Sequence, residues 1–284
     1  MELDPITVIK EKAVDLPKSQ RKVADYIINN QMEVAFLTLD QLAQLIGTST
    51  TTVMRFTFNL GYSGYSEFQK SLQELLRNRS APKTRLEMNI KNINNSELWG
   101  RFAETQIQNI KSMLGSISED ALNDFIDMII HSKRVYCTCV RSGLPVAQYL
   151  TQGINRLIGN CELIVADLTD WVDKSVDLSS EDLLIAISYP RYANRIIDHA
   201  RVAKHNNCKI VSITDNYSSP LVKYSDLVIT TSPESIAFHN SPVTAMIIAD
   251  YIISAIAIKY PERTKERLDK VNSILLSMNY HHEK

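Results

Sequence analysis

The sequence lacks the features that mark several classes of protein. Only 4 of its 284 residues are cysteine and no two of them form a CxxC pair, so buried free thiols are expected in place of a disulfide framework or a metal site. No run of about 18 apolar residues occurs, which argues against a membrane span. The N-terminus, MELDPITVIKEK, has no basic region followed by an apolar core, so no signal peptide is expected. We therefore expect a protein of the reducing cytoplasm.

Excess charge of either sign is also lacking. The formal net charge is −1, and charged residues make up 22% of the chain against 44% for hydrophobic residues. This composition predicts a folded chain, and 284 residues are enough for two domains. The chain does not have the basic excess of a strong non-specific nucleic-acid binder. Binding to nucleic acid would need two copies of the relevant domain, each supplying part of the phosphate contacts.

The most informative stretch runs from Leu39 to Leu60, LDQLAQLIGTSTTTVMRFTFNL. Its apolar residues recur at helical spacing in two short segments. A glycine directly follows each segment, Gly47 or Gly61, where a helix end favours a residue that accepts positive φ. Thr38 precedes the first segment as a candidate N-cap, with Gln41 placed to complete a capping box. The pattern predicts two amphipathic helices joined by a tight turn, which is the helix-turn-helix arrangement.

The second helix of this pair carries the residues expected to contact DNA. Ser49 or Thr50 caps it, and its inward face consists of Val53, Phe56, Thr57 and Leu60. In a helix-turn-helix the N-terminal residues of the second helix enter a major groove, where hydroxyls and arginine bond bases or phosphates. The predicted DNA contacts are Thr50, Thr51, Thr52 and Arg55, with Lys70 as a weaker phosphate contact. Spacing alone leaves the alternative, a helical hairpin in a core, about equally favoured.

The residues that flank the motif separate these two interpretations. The following segment, FNLGYSGYSEF, fits an LGxxGxxEF pattern at Leu60, Gly61, Gly64, Glu67 and Phe68. Within the motif, an alanine, a glycine, a valine and an aromatic residue stand at Ala43, Gly47, Val53 and Phe56. With these residues the stretch from about Leu16 to Leu76 resembles the N-terminal domain of RpiR-type bacterial transcriptional regulators. The resemblance implies binding to double-stranded operator DNA.

From Lys133 the pattern changes to short β-branched runs that alternate with helical stretches. The runs are RVYCTCV (134–140), ELIVA (162–166), LLIAIS (183–188), KIVSIT (209–214) and DLVITT (226–231). Such alternation predicts an α/β three-layer domain, with a five-stranded parallel sheet covered by helices on both faces. The predicted organisation is an all-α helix-turn-helix domain over 1–79, a linker of little periodicity over 80–96, and the α/β domain over 97–284.

Polar residues cluster where the strands of the predicted sheet end. In an open parallel sheet, ligands bind at the carboxyl ends of the strands, near helix N-termini. Three such ends carry hydroxyl-rich loops, 140–143, 188–192 and 214–220, and arginines in two of them favour a small anion. The predicted ligand contacts are Arg141, Ser142, Ser188, Arg191, Thr214 and Ser218. Taken singly, each serine could merely cap a helix, and each arginine could lie in solvent.

A second resemblance lies in the α/β region, where DLLIAIS is followed by a turn, a helix and then KIVSITDNYSSPLVKYSDLVI. This arrangement is similar to the SIS domain of sugar isomerases. That phosphosugar-binding domain also follows the helix-turn-helix in RpiR-type regulators. The resemblance covers about Ile117 to Tyr260 and implies a sensor of an anionic effector, often a phosphosugar. Where many members carry Ser-x-Ser-Gly-x-Thr, residues 188–193 read SYPRYA, which resembles the SFPRYS variant of some regulators. Arg191 is expected to replace the lost donors, and Tyr189 or Tyr192 to stack on a ring.

Three functions remain open from the sequence. The first is a DNA-binding regulator, a homodimer or a dimer of dimers, that senses a small anion and needs no membrane, cofactor, metal or catalytic residue. The second is a sugar-phosphate isomerase with an extra domain, which needs a general base beside its substrate. His239 is the sole candidate base, because His199 and His205 are expected to be solvated. The third is a regulator whose SIS-like domain only dimerises, which the lack of a glycine-rich turn after the first strand permits.

Overall fold

The computed structural model describes residues 5–13, 16–79, 81–90, 97–166 and 171–280. The chain divides into two compact units, Met1–Arg85 and Leu86–Lys284. The division falls within the segment predicted as a linker, 80–96, of which Pro82–Ile90 forms a helix. That helix was not expected, because the apolar residues of the segment have little helical periodicity.

The N-terminal unit is built from helices. These are α1 (Pro5–Lys12), α2 (Lys18–Asn29), α3 (Gln31–Val34), α4 (Leu39–Ile46), α5 (Thr50–Leu60) and α6 (Tyr65–Arg79), and α7 (Pro82–Ile90) follows them. Helices α4 and α5 are the predicted helix-turn-helix pair. The inward face predicted for α5 is buried in full. The helical hairpin therefore has the capped ends and buried face that the sequence indicates.

The two ends of α4 and the start of α5 have the local geometry that their residues favour. The Thr38 hydroxyl accepts from the backbone N–H of Gln41 at 3.3 Å, and the Gln41 side chain accepts from the backbone N–H of Thr38 at 2.8 Å. Gly47 ends α4 in the left-handed region, at φ 70°. The Ser49 hydroxyl caps α5 by accepting from the backbone N–H of Thr52 at 3.2 Å. Each such cap stabilises its helix by about 1 kcal/mol.

The LGxxGxxEF pattern fixes α6 against α5. Gly61 ends α5 at φ 102°, which turns the chain. The Glu67 carboxylate then accepts from the hydroxyl and the backbone N–H of Ser63, at 2.7 and 2.5 Å, and these hydrogen bonds lower the pKa of Glu67. Phe68 is fully buried, and its ring meets that of Phe56 edge-on with the centroids 6.2 Å apart. The pattern thus closes the core over the inward face of the second helix.

The C-terminal unit is a three-layer α/β domain. Its strands are β1 (Arg134–Cys139), β2 (Cys161–Val165), β3 (Asp182–Ile187), β4 (Lys209–Thr214) and β5 (Leu227–Thr230). Its helices are α8 (Leu98–Ser116), α9 (Glu119–His131), α10 (Leu144–Leu157), α11 (Trp171–Val176), α12 (Asn194–His205), α13 (Val243–Lys259) and α14 (Pro261–Ser277). The strands pair in parallel in the order β2-β1-β3-β4-β5. The predicted five-stranded parallel sheet is confirmed.

The sheet is buried on both faces. All six residues of β3 are buried, as expected for a central parallel strand. Helices α9, α10 and α13 pack on one face around Phe125, Leu150 and Ile252, and α12 packs on the other with Ile196 and Ala200. The buried free thiols predicted from the sequence are Cys137, Cys139, Cys161 and Cys208. Removal of this apolar surface from water is the main stabilising term of the domain.

Helix α13 is rich in apolar residues, and 7 of its 17 residues are buried. Ala245, Ala249 and Ile252 are fully buried, whereas Ile258 near its end is 79% exposed. In the part of the chain that the structure describes, no single helix is long and apolar enough to cross a membrane. Helices α13 and α14 reach that length only together, as a pair bent by 105°.

Candidate functional site

A cavity of about 480 Å³ opens at the carboxyl edge of the sheet, where β1 and β3 end. The loop after β1 lines it with Val140, Arg141, Ser142 and Gly143. The end of β3 and the loop after it contribute the residues from Ile187 to Arg191. The start of α12 contributes Ala193, Asn194 and Arg195, and the loop after β5 contributes Asn240. This volume is within the usual range for a small-molecule site.

The cavity lies where the strand order changes direction. Strand β1 pairs with β2 on one side and with β3 on the other, and α10 and α12 leave these strands for opposite faces. Such a crevice is the usual ligand position in an open α/β sheet. A 3₁₀ turn, Arg141–Gly143, runs directly into α10. Neither Val140 before this turn nor Ala193 before α12 supplies a side-chain cap, and within the turn the Gly143 N–H donates to the Val140 carbonyl at 3.1 Å and the Leu144 N–H to the Arg141 carbonyl.

Two arginines at the cavity have an uncommon backbone conformation. Arg141 has φ 48° and Arg191 has φ 71°, in the left-handed region that residues other than glycine seldom adopt. The other non-glycine residues of this kind in the described ranges are Asn207 and Asn279, and asparagine tolerates the region. An arginine held there costs about 1–2 kcal/mol. Surrounding contacts must therefore fix both arginine loops against this strain.

The two tyrosines of SYPRYA anchor the loop that carries Arg191. The hydroxyl of Tyr189 lies 2.6 Å from that of Thr231, at the end of β5. The hydroxyl of Tyr192 donates to Asp215 Oδ1 at 2.8 Å, just after β4. Arg191 stands between these two anchors. The expectation that one of the tyrosines stacks on a ligand ring stays a prediction: Tyr189 lines the cavity at 6% exposure, and Tyr192 is half-buried with its hydroxyl bound to a carboxylate.

Burial controls the ionisation of these anchoring groups. It raises the pKa of Tyr189, and with the nearby charge of Asp215 it also raises the pKa of Tyr192. Both phenols therefore stay protonated at neutral pH, and Tyr192 remains a hydrogen-bond donor. Burial likewise raises the pKa of Asp215, although the hydrogen bond from Tyr192 opposes part of this increase. Asn216 Nδ2 also donates to Asp215, at 2.6 Å, so the carboxyl is held from two sides.

The structure brings together four of the six predicted ligand contacts. Those that line the cavity are Arg141, Ser142, Ser188 and Arg191. Thr214 is instead buried with its hydroxyl donating to Asp215 at 3.1 Å. Ser218 is exposed, and its N–H and hydroxyl both donate to Asn216 Oδ1, at 2.8 and 2.5 Å. These two residues organise the loop after β4, because the cavity lies between β1 and β3 and that loop is one strand further along the sheet.

Three polar residues of the cavity were not predicted from the sequence. Asn194 and Arg195 form the first turn of α12, directly after SYPRYA. Asn240 lies in the loop after β5, where its Nδ2 donates to the backbone carbonyl of Pro190 at 3.3 Å. Ligands bind at the carboxyl ends of parallel strands, and the loop that carries Asn240 follows such an end. Asn240 could therefore have been predicted in the same way as the residues after the other strands. The helix start could also have been included, since anions bind there.

The cavity offers no group suited to general-base catalysis among its described lining residues, which include no aspartate, glutamate or histidine. His239 is exposed in the loop after β5 and lies 3.5 Å from the Ser235 hydroxyl. His199 was expected in solvent and is fully buried: its Nδ1 lies 3.1 Å from the Thr138 hydroxyl. Burial lowers the pKa of His199 to about 4. The charged residues that surround His199 in the sequence indicated an exposed position, but α12 turns this residue toward the sheet.

In the N-terminal unit, the predicted DNA contacts cluster on α5 and the adjoining α6. The exposed ones are Thr51, Arg55 and Lys70, and the half-buried ones are Thr50 and Thr52. The hydroxyl of Thr52 lies 2.9 Å from that of Ser49, so it is engaged with the helix cap. Thr51 and Arg55 therefore have the side chains best placed for a groove. A helix-turn-helix in one unit and an arginine-lined cavity in the other define a class, the ligand-responsive transcriptional regulators.

Comparison with known proteins gives the family. The chain matches the model "Helix-turn-helix domain, rpiR family" over residues 4–79 and the model "SIS domain" over residues 128–266. The two domains occur in the order that the sequence predicts. The chain belongs to the RpiR-type family of helix-turn-helix transcriptional regulators that carry a SIS domain.

Relatives match along almost the whole chain. An uncharacterized HTH-type transcriptional regulator of Thermotoga maritima is 24% identical, covering 98% of this chain and 100% of the relative. The HTH-type transcriptional regulator HexR of Pseudomonas aeruginosa is 22% identical, covering 96% and 95%. Among solved structures, the Vibrio vulnificus NanR protein complexed with ManNAc-6P is 21% identical with a TM-score of 0.58, covering 96% of this chain and 98% of that one. The NanR structure shares the fold of this chain.

Proposed function

We propose that the chain is a transcriptional regulator that binds operator DNA through α5 and senses a phosphosugar in the cavity between β1 and β3. The observation that carries this proposal is the cavity itself. It combines strained arginines and two uncapped helix starts, and its described lining has no carboxylate. Such a site attracts an anion, because its described lining brings positive charge and no negative charge. NanR, which has the same fold, was solved with ManNAc-6P, and this supports a phosphosugar as the class of effector.

On the DNA side, Arg55 and Thr51 make the direct contacts. Both are exposed on the first two turns of α5, the part of a recognition helix that reaches base edges. Thr50 and Thr52 contact phosphate or stay with the cap, and Lys70 adds a phosphate contact from α6. One such surface gives few phosphate contacts, so the regulator acts as a homodimer or a dimer of dimers on two half-sites. Exposed apolar side chains on the C-terminal unit, such as Trp99 at 78% and Ile258 at 79%, support self-association.

The loop after β5 links the cavity to α8, the long helix that begins the described part of the domain after the predicted linker. Asn240 of this loop lines the cavity, and the hydroxyl of its neighbour Ser241 donates to Gln106 of α8 at 3.0 Å. Asn109 of α8 donates to the carbonyl of Glu234 at 2.9 Å. An effector that moves Asn240 therefore acts on α8, the helix that follows the predicted linker in the sequence.

The chain acts without catalysing a reaction on its effector. Isomerisation of a sugar phosphate needs a base within reach of the substrate carbon, directly or through one water. His239 is not among the residues that line the cavity, and the described lining carries no other base. The absence of product from any phosphosugar incubated with pure protein is the expected result. If the wild type converted a phosphosugar and the His239→Ala variant did not, the result would favour the isomerase function.

Gel-shift binding tests the DNA side of this proposal. Pure protein is titrated against the DNA upstream of its own gene, with a shuffled duplex as competitor. An Arg55→Ala variant is expected to bind specific DNA about tenfold more weakly, because one arginine–guanine contact is worth about 1–3 kcal/mol. Arg201→Ala is the matched control, since Arg201 is an exposed arginine on α12 in the other unit. Equal affinity for specific and shuffled duplexes would contradict the proposal.

A further inference from the structure

The exposed side of α5 ends at a lysine that belongs to another helix. Thr51, Arg55 and Asn59 are exposed and follow one another every four positions, so they form one stripe along α5. At the far end of this stripe, the Nζ of Lys12 donates to the backbone carbonyl of Asn59 at 2.8 Å. Lys12 is the last residue of α1 and is itself exposed. The stripe and this lysine therefore form one continuous surface.

Lys12 lies where α5 has no positive charge of its own. The last turn of α5 contains no basic residue. The N–H groups that follow the helix donate to the carbonyls of Thr57 and Phe58, whereas the carbonyl of Asn59 accepts from Lys12. Carbonyls at a helix C-terminus carry a partial negative charge, which repels phosphate. The lysine of α1 puts a full positive charge at this point.

The length of the stripe places Lys12 at the edge of a major groove. Thr51 and Asn59 are about 12 Å apart along the helix axis, at about 1.5 Å per residue. A major groove is also about 12 Å wide. When the first two turns of α5 reach the base edges, the other end of the helix therefore lies beside the sugar-phosphate backbone.

A second hydrogen bond fixes this end of α5. The side chain of Asn59 donates to Gln20 Oε1 of α2 at 2.8 Å, and Gln20 is buried. Asn59 thus joins α1, α2 and α5 at one point. An ammonium has three N–H donors, so Lys12 can bond Asn59 and a phosphate oxygen at once. Because the lysine is already held, it loses less side-chain freedom when it binds phosphate.

We propose that Lys12 is a DNA contact, which binds a phosphate at the edge of the groove and offsets the negative end of α5. Helix α1 is then part of the DNA interface. This inference rests on the proposed function and adds to it a contact from outside the helix-turn-helix. A phosphate contact supplies affinity and fixes the position of α5 in the groove, but it does not distinguish sequences.

The salt dependence of DNA binding tests this contact. Fluorescence anisotropy gives the affinity of the full-length protein for the upstream duplex and for a shuffled duplex, between about 50 and 200 mM KCl. Lys12→Gln is expected to weaken binding to both duplexes by the same factor, about three- to tenfold at the lowest salt. The slope of log K against log salt should fall in magnitude by about 1 for each DNA-binding unit engaged. Arg55→Ala should instead weaken the upstream duplex more than the shuffled one.

Two variants control for charge and folding. Lys12→Arg keeps the charge and is expected to keep the wild-type slope. Lys10→Gln removes the same charge from the same turn of α1, where Lys10 is also exposed. Two positions along a helix differ in direction by about 200°, so Lys10 points away from the side of Lys12 and its loss should leave the slope unchanged. Melting temperatures check that each variant is folded.

The outcomes separate this inference from the function beneath it. A wild-type slope in Lys12→Gln would overturn the contact and leave a DNA-binding regulator in place. An equal loss of slope in Lys10→Gln would also overturn it, because the effect would then be one of net charge. Equal affinity of the wild type for the two duplexes would contradict operator binding, and the slope on the shuffled duplex would still decide the role of Lys12.

Discussion

Two cavities of similar volume lie at opposite edges of the same sheet, and they present opposite charge. The cavity at the carboxyl edge measures about 480 Å³ and is lined by three arginines. The cavity at the amino edge measures about 560 Å³, and the carboxylates that line it are Asp124, Asp127, Glu181, Asp182 and Asp226. The larger cavity is therefore the one that repels an anion. Charge and chain direction, and not volume, distinguish the proposed ligand site.

Chain direction explains the difference. In a parallel sheet every strand enters at one edge and leaves at the other, so helix N-termini gather at the carboxyl edge and helix C-termini at the amino edge. The carboxylates at the amino edge have structural partners. Asp182 is fully buried and accepts from Arg134 at 2.8 Å and from Ser179 at 2.8 Å. Burial raises the pKa of Asp182, but these hydrogen bonds outweigh it and hold the pKa below its usual value.

Reversing one charge at the carboxyl edge gives the largest expected effect. Arg191→Glu puts a carboxylate between the two helix starts, so the phosphosugar that the wild type binds most tightly should bind at least about 100-fold more weakly. Calorimetry measures the change, with Arg201→Glu as the control of equal charge change. Binding that weakens by less than about threefold would show that the ligand lies elsewhere.

The next largest effect is expected on the free energy of unfolding. It comes from His199, which is buried against the sheet near the carboxyl edge. Unfolded histidine titrates near pH 6.5, and burial lowers the folded pKa of His199 to about 4. Between these values only the unfolded chain binds the proton. The free energy of unfolding should therefore fall, by an amount on the order of 1–3 kcal/mol, as pH falls through this window.

Denaturant unfolding between pH 7 and pH 4 measures that loss. A His199→Gln variant should show a flatter pH dependence, whatever its stability at neutral pH. His205→Gln on the same helix is the control, because His205 is exposed. Identical slopes in the wild type and in His199→Gln would show that His199 is not the group responsible.

A smaller effect tests whether the tyrosine anchors position Arg191. Tyr192→Phe removes the hydrogen bond to Asp215, which is worth about 0.5–1.5 kcal/mol, and should weaken phosphosugar binding about three- to tenfold. Tyr149→Phe is the matched control, since that exposed tyrosine also donates to an aspartate, Asp250, at 2.6 Å. Equal affinities in both variants would mean that the loop holds its shape without this anchor.

The smallest effect is expected at the amino edge. Asp124→Asn removes a negative charge from the acidic cavity, and phosphosugar affinity should change by less than about twofold, because screening in salt weakens charges across the domain. The same calorimetric titration provides the value. A change as large as that of Arg191→Glu would remove the distinction between the two edges.

The two domains also differ in how far the sequence predicted them. The helix-turn-helix was predicted almost residue by residue because its signals are local: Thr38, Gln41, Gly47 and Ser49 act within a few residues of themselves. The strands followed from short apolar runs, and their carboxyl ends indicated the edge that holds the cavity. Arg141 and Arg191 could be selected because each directly follows a strand.

The features that the sequence did not predict depend on contacts between distant parts of the chain. Thr214 and Ser218 were misplaced because the strand order, which puts β3 and not β4 beside β1, is not visible in any local pattern. The anchors of Tyr189 and Tyr192 involve partners 42 and 23 residues away. The burial of His199 depends on which side of α12 meets the sheet, and its charged neighbours favoured the wrong side.

The most direct test of the account is operator binding measured by fluorescence anisotropy with and without phosphosugars. The DNA is the region upstream of the gene, and the proteins are the wild type and Arg191→Glu. We predict specific binding by both proteins. One phosphosugar should change the wild-type affinity for DNA at least about tenfold and leave the affinity of Arg191→Glu unchanged. Specific binding that no compound alters, or an equal response in both proteins, would contradict the claim that this cavity controls DNA binding.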